Sequence, residues 1–201
     1  MTSLGPDPEG ATPLADEELE GLIPGHVTTR AELNAVEFDN IVKAFSWAQT
    51  VAERSEPAHL MDVGFLYRLH KRMFSDVWQW AGTQRRRQTN IGVDPALIAE
   101  RVKVVLDDAC FWHEHSTYTT DEIAVRLHHR LVVVHPFPNG NGRCTRLIAD
   151  LYLAASGKPM LSWGGRVNLG EPGDVRSAYL RALRSADLGN CEQLLAFARA
   201  A

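Results

Sequence analysis

The chain has 201 residues, of which 45% are hydrophobic and 23% are charged, and its formal net charge at pH 7 is −4. This composition is that of a globular domain with a substantial core. The acidic balance excludes a general electrostatic attraction to DNA or to anionic membranes, so we expect neither direct nucleic-acid binding nor membrane association.

The N-terminal residues 1–13 are rich in proline and glycine and offer little that could pack. They predict a flexible tail ahead of one domain spanning 14–201. The segment from Thr2 to Glu20 lacks the pattern of a signal peptide, and no apolar run is long enough to span a bilayer. We therefore expect a cytoplasmic location.

Helical patterns follow along most of the chain. Thr29 and Glu32 have the spacing of a capping box, which predicts a long first helix over 29–52. Apolar residues at helical spacing predict the later helices. The first of these runs from about Asp62 and ends before Trp78. The others run from Asp94 through Leu106, Thr120 to His135, Arg143 to Ala155, Val175 to Ala186 and Cys191 to Ala200. The fold class is therefore all-α.

The exception lies between Gly82 and Asp94, where the helical period is lost. Alternating residues there predict a short β-hairpin or an extended flap over Thr89, Asn90, Ile91, Gly92 and Val93. The run 85–87 holds three consecutive arginines, which are typical of a solvated turn or strand face. Binding of phosphate or of a partner is the alternative for this run.

A glycine-rich break separates two of the predicted helices at Gly140-Asn141-Gly142-Arg143. Glycines tolerate positive φ and lack a Cβ, so the backbone N–H groups can converge on an anion at the start of the next helix. Arg146 is three residues after Arg143 and lies on the same helix face, where both guanidinium groups could reach a polyphosphate.

A histidine stands at the mouth of this break. His135 precedes Arg143 by eight residues, and imidazole is well suited to accept a proton at neutral pH. Each of these features alone is more often a simple turn or a core histidine, but their density within twelve residues favours a site. A base beside a phosphate cradle indicates group transfer to a hydroxyl.

The residues from His135 to Arg146 resemble the signature of the Fic family, His-x-Phe-x-(Asp/Glu)-Gly-Asn-Gly-Arg-x-x-Arg. They match every fixed position except Asn139. The resemblance extends over roughly residues 30–197 and is strongest to the branch called mobile mystery protein B. Thr29-Arg-x-Glu-Leu-Asn34 is a further part of that likeness.

The resemblance implies an all-helical core with a β-hairpin flap and transfer of AMP from ATP to a Ser, Thr or Tyr hydroxyl of a protein, with self-modification as one outcome. By position, His135 would be the base and Phe137 would anchor the loop in the core. The phosphate ligands would be Gly140, Asn141 and Gly142 for the α- and β-phosphates, Arg143 for the β-phosphate region and Arg146 for the γ-phosphate. The flap would pair with an extended target segment by strand addition.

Asn139 is the departure from the signature. The usual acidic residue there helps to hold Mg²⁺, and an amide oxygen is a neutral, weaker ligand for a hard cation. Asn139 is therefore the expected metal position for Mg²⁺, with phosphate oxygens and water completing the shell. The related death-on-curing branch, which phosphorylates its target, tolerates Asn at this position, so a kinase-like reaction is an alternative. A non-catalytic nucleotide-binding module is another.

Many Fic proteins carry an inhibitory helix whose glutamate pairs with the second motif arginine. Two residues are candidates here, Glu32 and Glu37. For Glu32, the capping box with Thr29 is the stronger interpretation.

The eight histidines raise the possibility of a zinc site. The candidate ligands are His113, His115, His128, His129 and His135. Their spacing argues against it, because there is no His-Glu-x-x-His and adjacent histidines point about 100° apart on a helix.

Overall fold

The computed structural model describes residue 10, residues 12–165, residue 169 and residues 173–200. Most of the predicted tail, residues 1–9 and 11, lies outside the described residues. The helices are α1 (Asp16–Leu19), α2 (Arg30–Ala52), α3 (Pro57–Leu60), α4 (Val63–Phe74), α5 (Ile98–Glu114), α6 (Thr120–Val134), α7 (Asn141–Ala155), α8 (Asp174–Asp187) and α9 (Glu192–Arg199). A 3₁₀ turn, Pro95–Leu97, leads into α5.

The predicted helix starts agree with the structure at α2 and α4. Thr29 caps α2, and its hydroxyl oxygen accepts from the Glu32 N–H at 3.2 Å while the Glu32 carboxylate accepts from the Thr29 N–H at 3.0 Å. Asp62 caps α4 by accepting from the Phe65 N–H. Each cap satisfies backbone donors that the first helical turn leaves without a partner.

The start of α7 differs from the prediction. It begins at Asn141 rather than Arg143, because Gly140 takes the left-handed conformation with φ 75° and serves as its N-cap. The break between α6 and α7 is therefore six residues long, from His135, which caps α6, to Gly140.

The pair α6 and α7 lies at the centre of the molecule. These two helices pack on each other, α5 packs on α6, and both α2 and α4 contact α7. Most of α7 is buried, from Cys144 to Leu153. The connection between α6 and α7 is thus held by the core on both sides, which gives the site a rigid base. None of the helices in the described ranges is long and apolar enough to cross a bilayer.

The segment between Gly82 and Asp94 contains no β-strand, so the predicted β-hairpin is wrong for these described residues. It is an irregular, extended loop. The Arg85 side chain is only 1% exposed and bridges the two arms of the loop, donating from Nη1 to the Arg87 carbonyl at 2.8 Å and from Nη2 to the Val93 carbonyl. A guanidinium with five donors therefore satisfies carbonyls that a strand ladder would have paired.

The same contact corrects the interpretation of the three arginines. Arg86 is exposed as expected, but Arg85 is buried and Arg87 forms an ion pair with Glu18 on α1. The order of charges along the chain could not separate these three roles, since each depends on which carbonyl or carboxylate another part of the chain supplies.

Candidate functional site

His135 is held in an unusual backbone conformation at the end of α6. Its φ of 55° and ψ of 61° are left-handed, which costs energy for a residue with a Cβ. Arg85 Nε donates to the His135 carbonyl at 2.6 Å, and the Arg85 N–H donates to the Pro136 carbonyl at 2.9 Å. The buried arginine therefore stabilises the turn that presents the imidazole.

The hydrogen bonds of the His135 ring assign its tautomer. Nδ1 lies 3.2 Å from the Val132 carbonyl oxygen, which can only accept, so Nδ1 carries the proton. Nε2 is then an acceptor, and the Thr12 hydroxyl donates to it at 2.8 Å. A neutral imidazole with its free lone pair on a hydroxyl is the arrangement of a general base.

Burial keeps this imidazole neutral. His135 is 7% exposed, and desolvation lowers its pKa to about 4, partly offset by the hydrogen bond to Val132 and assisted by the charge of Arg85. Its basic form is therefore fully populated at neutral pH.

The turn after His135 is locked by Asn141. Its amide oxygen accepts from the Phe137 N–H at 2.9 Å, and its amide nitrogen donates to the Phe137 carbonyl at 2.8 Å. Phe137 itself is fully buried, as the resemblance implied. The Asn141 side chain thus shapes the loop, while the backbone N–H groups at the start of α7 have no intrahelical acceptor and carry the positive end of the helix dipole.

Two arginines flank the start of α7. Arg143 Nη1 lies 2.5 Å from Glu37 Oε2, and its guanidinium lies 4.8 Å from the centre of the Phe74 ring. Arg146 contacts α8 instead, with Nη1 3.4 Å from the Tyr179 hydroxyl. A Cβ on Gly142 would be 3.3 Å from Arg146 Nη1, so this guanidinium is next to the backbone of the helix start.

Glu37 brings α2 into the site. Its side chain is nearly buried, with the residue 4% exposed, and accepts from Trp78 Nε1 at 2.7 Å besides pairing with Arg143. The partner of Glu37 is Arg143, the first arginine of the motif, whereas the resemblance implied Arg146, the second. Glu32 accepts instead from Thr28 and Thr29, whose hydrogen bonds lower its pKa to about 2, so the capping interpretation of Glu32 is confirmed.

Asn139 is not arranged as a ligand for Mg²⁺. Its Oδ1 accepts from the Gly140 N–H at 2.6 Å and from Arg143 Nη2 at 3.3 Å, so a cation already faces this oxygen. Across the described ranges, no group of three or more His, Cys, Asp or Glu side chains could hold a metal ion. The residues present do not fit a Mg²⁺ ion held by the protein itself.

The five histidines considered for zinc are dispersed among other partners. His128 lies between Thr145 and Tyr179, His113 contacts the Tyr152 hydroxyl, His129 pairs with Asp187, and His115 contacts a backbone carbonyl.

The predicted flap residues lie beside the base. Val93 N–H donates to the Val134 carbonyl at 3.4 Å, and a Cβ on Gly92 would lie 2.7 Å from His135 Cβ. Thr89 Oγ1 donates to the Ile91 carbonyl at 2.5 Å, so these residues form a compact turn. The structure therefore brings the predicted flap and the predicted base together, although not as a hairpin.

His70 is a site residue that the sequence interpretation missed. It is fully buried in α4; its Nδ1 accepts from the Gly82 N–H at 2.9 Å and its Nε2 donates to the Asn139 carbonyl at 3.0 Å. Its ring stacks on Phe137 with the centroids 3.7 Å apart, and burial lowers its pKa to about 3. The available signal was a histidine on the otherwise apolar face of α4.

Comparison with known proteins agrees with this geometry. The model of the Fic/DOC family matches residues 60–153, which include α4, the flap and the whole of the α6–α7 connection. Residues 60–153 of the chain therefore match a Fic/DOC family domain.

Proteins similar to this chain include adenylyltransferases. The chain is 34% identical over 116 residues to the protein adenylyltransferase fic-1 of Caenorhabditis elegans, a match that covers 55% of this chain and 21% of that protein. It is 30% identical over 138 residues to the protein adenylyltransferase Fic of Drosophila melanogaster, covering 64% and 25%. The matches thus span only about a fifth to a quarter of these relatives.

Solved structures share the fold. Residues 134–508 of Fic-1 from C. elegans superpose with a TM-score of 0.62 at 25% identity, covering 91% of this chain and 52% of that one. The BepC protein of Bartonella tribocorum, solved with bound AMPPNP, gives a TM-score of 0.68 at 17% identity, covering 92% and 97%. The second likeness is one of fold alone.

Proposed function

We propose that this Fic/DOC domain is a protein adenylyltransferase, which moves AMP from ATP to a Ser, Thr or Tyr hydroxyl with His135 as the base. One observation carries the proposal: the unprotonated Nε2 of His135 lies 2.8 Å from a threonine hydroxyl, beside the start of α7 and its two arginines. This is the geometry for removing a proton from an alcohol next to bound phosphates.

The proposed reaction is a displacement at the α-phosphorus of ATP. The target oxygen forms the new bond to phosphorus, its proton passes to His135 Nε2, and the bond to the β-phosphate breaks to release pyrophosphate. The backbone of Gly140, Asn141 and Gly142 would hold the α- and β-phosphates. Arg143 would bind the β-phosphate region and Arg146 the γ-phosphate, where cations stabilise the leaving charge.

The comparisons support the nucleotide and the class of reaction. The relatives at 30% and 34% identity are named adenylyltransferases, and the BepC fold neighbour binds an ATP analogue. AMPylating relatives imply a protein substrate, and the turn over 89–93 beside His135 is where an extended target segment would dock. The cytoplasmic location and the mobile mystery protein B branch stay predictions.

Glu37 is the proposed inhibitory residue. One oxygen of its carboxylate pairs with the Arg143 guanidinium, to which the β-phosphate would bind. The other oxygen accepts a hydrogen bond from Trp78 Nε1. ATP would have to displace a charge-assisted hydrogen bond before binding fully. The ion pair therefore holds α2 against the start of α7.

No step of this reaction is assigned to a metal bound by the protein. Mg²⁺ would arrive on the phosphates of ATP, with Asn139 contributing at most an amide oxygen. Replacing Asn139 by Asp places a carboxylate where Arg143 and Gly140 now donate, so we expect the labelling rate to saturate at a lower Mg²⁺ concentration than in the wild type. An unchanged Mg²⁺ titration would contradict this account of position 139.

The test of function compares ATP labelled at the α- and γ-phosphates. Label transferred to protein from the α-position alone supports AMP transfer. Label from the γ-position indicates the kinase-like reaction, and no transfer from either indicates a binding module. His135→Ala should abolish the transfer, by about 10²-fold or more. His115→Ala should leave it unchanged, because His115 is exposed and its ring contacts the carbonyl and the ring of Phe111.

A further inference from the structure

We infer that Thr12 is a self-modification site, the hydroxyl that accepts AMP within the same chain. The inference rests on the proposed adenylyltransferase function and adds the acceptor residue. It follows from the place of one threonine relative to the base, and from the contacts that hold it there.

Thr12 occupies the position of a target hydroxyl. It was expected within a flexible tail, yet it is only 6% exposed, and its hydroxyl donates to His135 Nε2 at 2.8 Å. Because Nδ1 is committed to the Val132 carbonyl, Nε2 can only accept, and the Thr12 proton points at the base. No reorientation is needed before the proton can move.

The same residue lies at the edge of the phosphate cradle. The Thr12 carbonyl oxygen is 3.5 Å from Asn139 Nδ2, and Asn139 directly precedes the Gly140 cap of α7. Thr12 therefore contacts both His135 and the residue that precedes the backbone proposed to hold the α-phosphate. Proximity of nucleophile, base and phosphate site is the main requirement of this type of transfer.

Two residues near Thr12, Gly10 and Pro13, make contacts with other parts of the chain. Gly10 lies against Leu180 of α8, where an added Cβ would be 3.0 Å from the leucine side chain. On the other side, the Pro13 carbonyl accepts from Arg87 Nη2 at 2.5 Å, and the same guanidinium binds both carboxylate oxygens of Glu18. Thr12 thus lies in the sequence between Gly10, which contacts α8, and Pro13, which contacts Arg87.

The modification step balances within the proposed reaction. Thr12 Oγ forms a bond to the α-phosphorus of ATP, and its proton goes to His135 Nε2. The bond between the α-phosphorus and the bridging oxygen of the β-phosphate breaks, and pyrophosphate leaves with that electron pair. The product is an AMP phosphodiester on Thr12.

The experiment incubates the full chain with ATP and Mg²⁺ and maps AMP adducts by peptide mass spectrometry. We expect an adduct on Thr12 that is lost in Thr12→Val by at least about tenfold, retained in Thr12→Ser, and unchanged in Thr50→Val, which alters an exposed threonine on α2. Valine has nearly the shape of threonine, and thermal denaturation will check that the variant folds. A transfer within one chain predicts a first-order rate that does not depend on protein concentration.

Three results would overturn the inference. An AMP adduct on other residues or on added lysate proteins, with residue 12 unmodified, removes Thr12 as the acceptor while AMP transfer stands. Faster labelling of other sites in Thr12→Val, again with no adduct on wild-type Thr12, would show that Thr12 blocks access to His135 and is not itself the acceptor. No AMP adduct on any protein with any variant removes the proposed function and the inference together.

Discussion

Gly140 is the position where the site can be perturbed most sharply, because two separate penalties meet there. Its φ of 75° costs a residue with a Cβ about 1–2 kcal/mol. A Cβ would also lie 2.5 Å from Phe74 Cζ and 3.3 Å from His70 Nε2, a clash with a ring that is itself fully buried. Overpacking of this kind costs about 1–3 kcal/mol, so Gly140→Ala should lose about 2–5 kcal/mol of unfolding free energy.

Gly157 is the matched control for this substitution. Its φ of 67° is nearly the same, and no atom lies within 4 Å of an added Cβ. Gly157→Ala should therefore show the backbone penalty alone, about 1–2 kcal/mol. The excess loss in Gly140→Ala then measures the contact with Phe74.

The assay is urea denaturation of the two single variants, together with Phe74→Leu and its combination with Gly140→Ala. Removing the ring should relieve the clash, so the double variant is expected to be more stable than the sum of the two single effects by about 1–2 kcal/mol. Equal losses in Gly140→Ala and Gly157→Ala, or strict additivity in the cycle, would refute the close packing of Phe74 under the cradle.

Three other predictions follow from the contacts of the site. Glu37→Gln should lower the Kd for ATP, measured by calorimetry, roughly tenfold, because it weakens the ion pair with Arg143. Glu32→Gln should leave that Kd unchanged, and equal effects of the two substitutions would contradict an inhibitory role of Glu37. Arg85→Met should lower the unfolding free energy by at least about 2 kcal/mol because buried carbonyls lose their donor, whereas Arg86→Met, on an exposed side chain, changes it by less than about 0.5 kcal/mol. The labelling rate should stay flat from pH 8 to about 5 and fall toward pH 4, since His135, with a pKa of about 4, stops accepting protons only below that pH; a midpoint near 6.5 argues against a buried base.

Local signals in the sequence were sufficient for the starts of α2 and α4. The Thr29–Glu32 capping box and the Asp62 cap act between residues three apart, so their effect does not depend on the rest of the fold. The same holds for the predicted phosphate cradle, whose glycine conformation and helix start lie within one turn of chain. Residues such as Gly140 and Arg143 could therefore be identified before the structure was known.

The flap could not be predicted in this way, because its conformation depends on distant groups. Alternation of Thr89, Ile91 and Val93 is the pattern of a strand, but a strand needs a partner ladder. The Arg85 side chain took that place, since it reaches carbonyls at both ends of the loop and on the His135 turn. Only the packing of α6 against the flap decided which of three consecutive arginines would be buried.

The sequence by itself determined that the chain is helical and that a histidine stands eight residues before an arginine, next to a glycine-rich helix start. The tertiary structure decided what faces that histidine. Thr12 and His135 are separated by 123 residues, and Glu37 and Arg143 by 106, so neither contact leaves a periodic or local trace in the sequence. Both arise because α2 and the segment before α1 fold back over the α6–α7 connection, where burial removes water and leaves each polar group to find its partner in the protein.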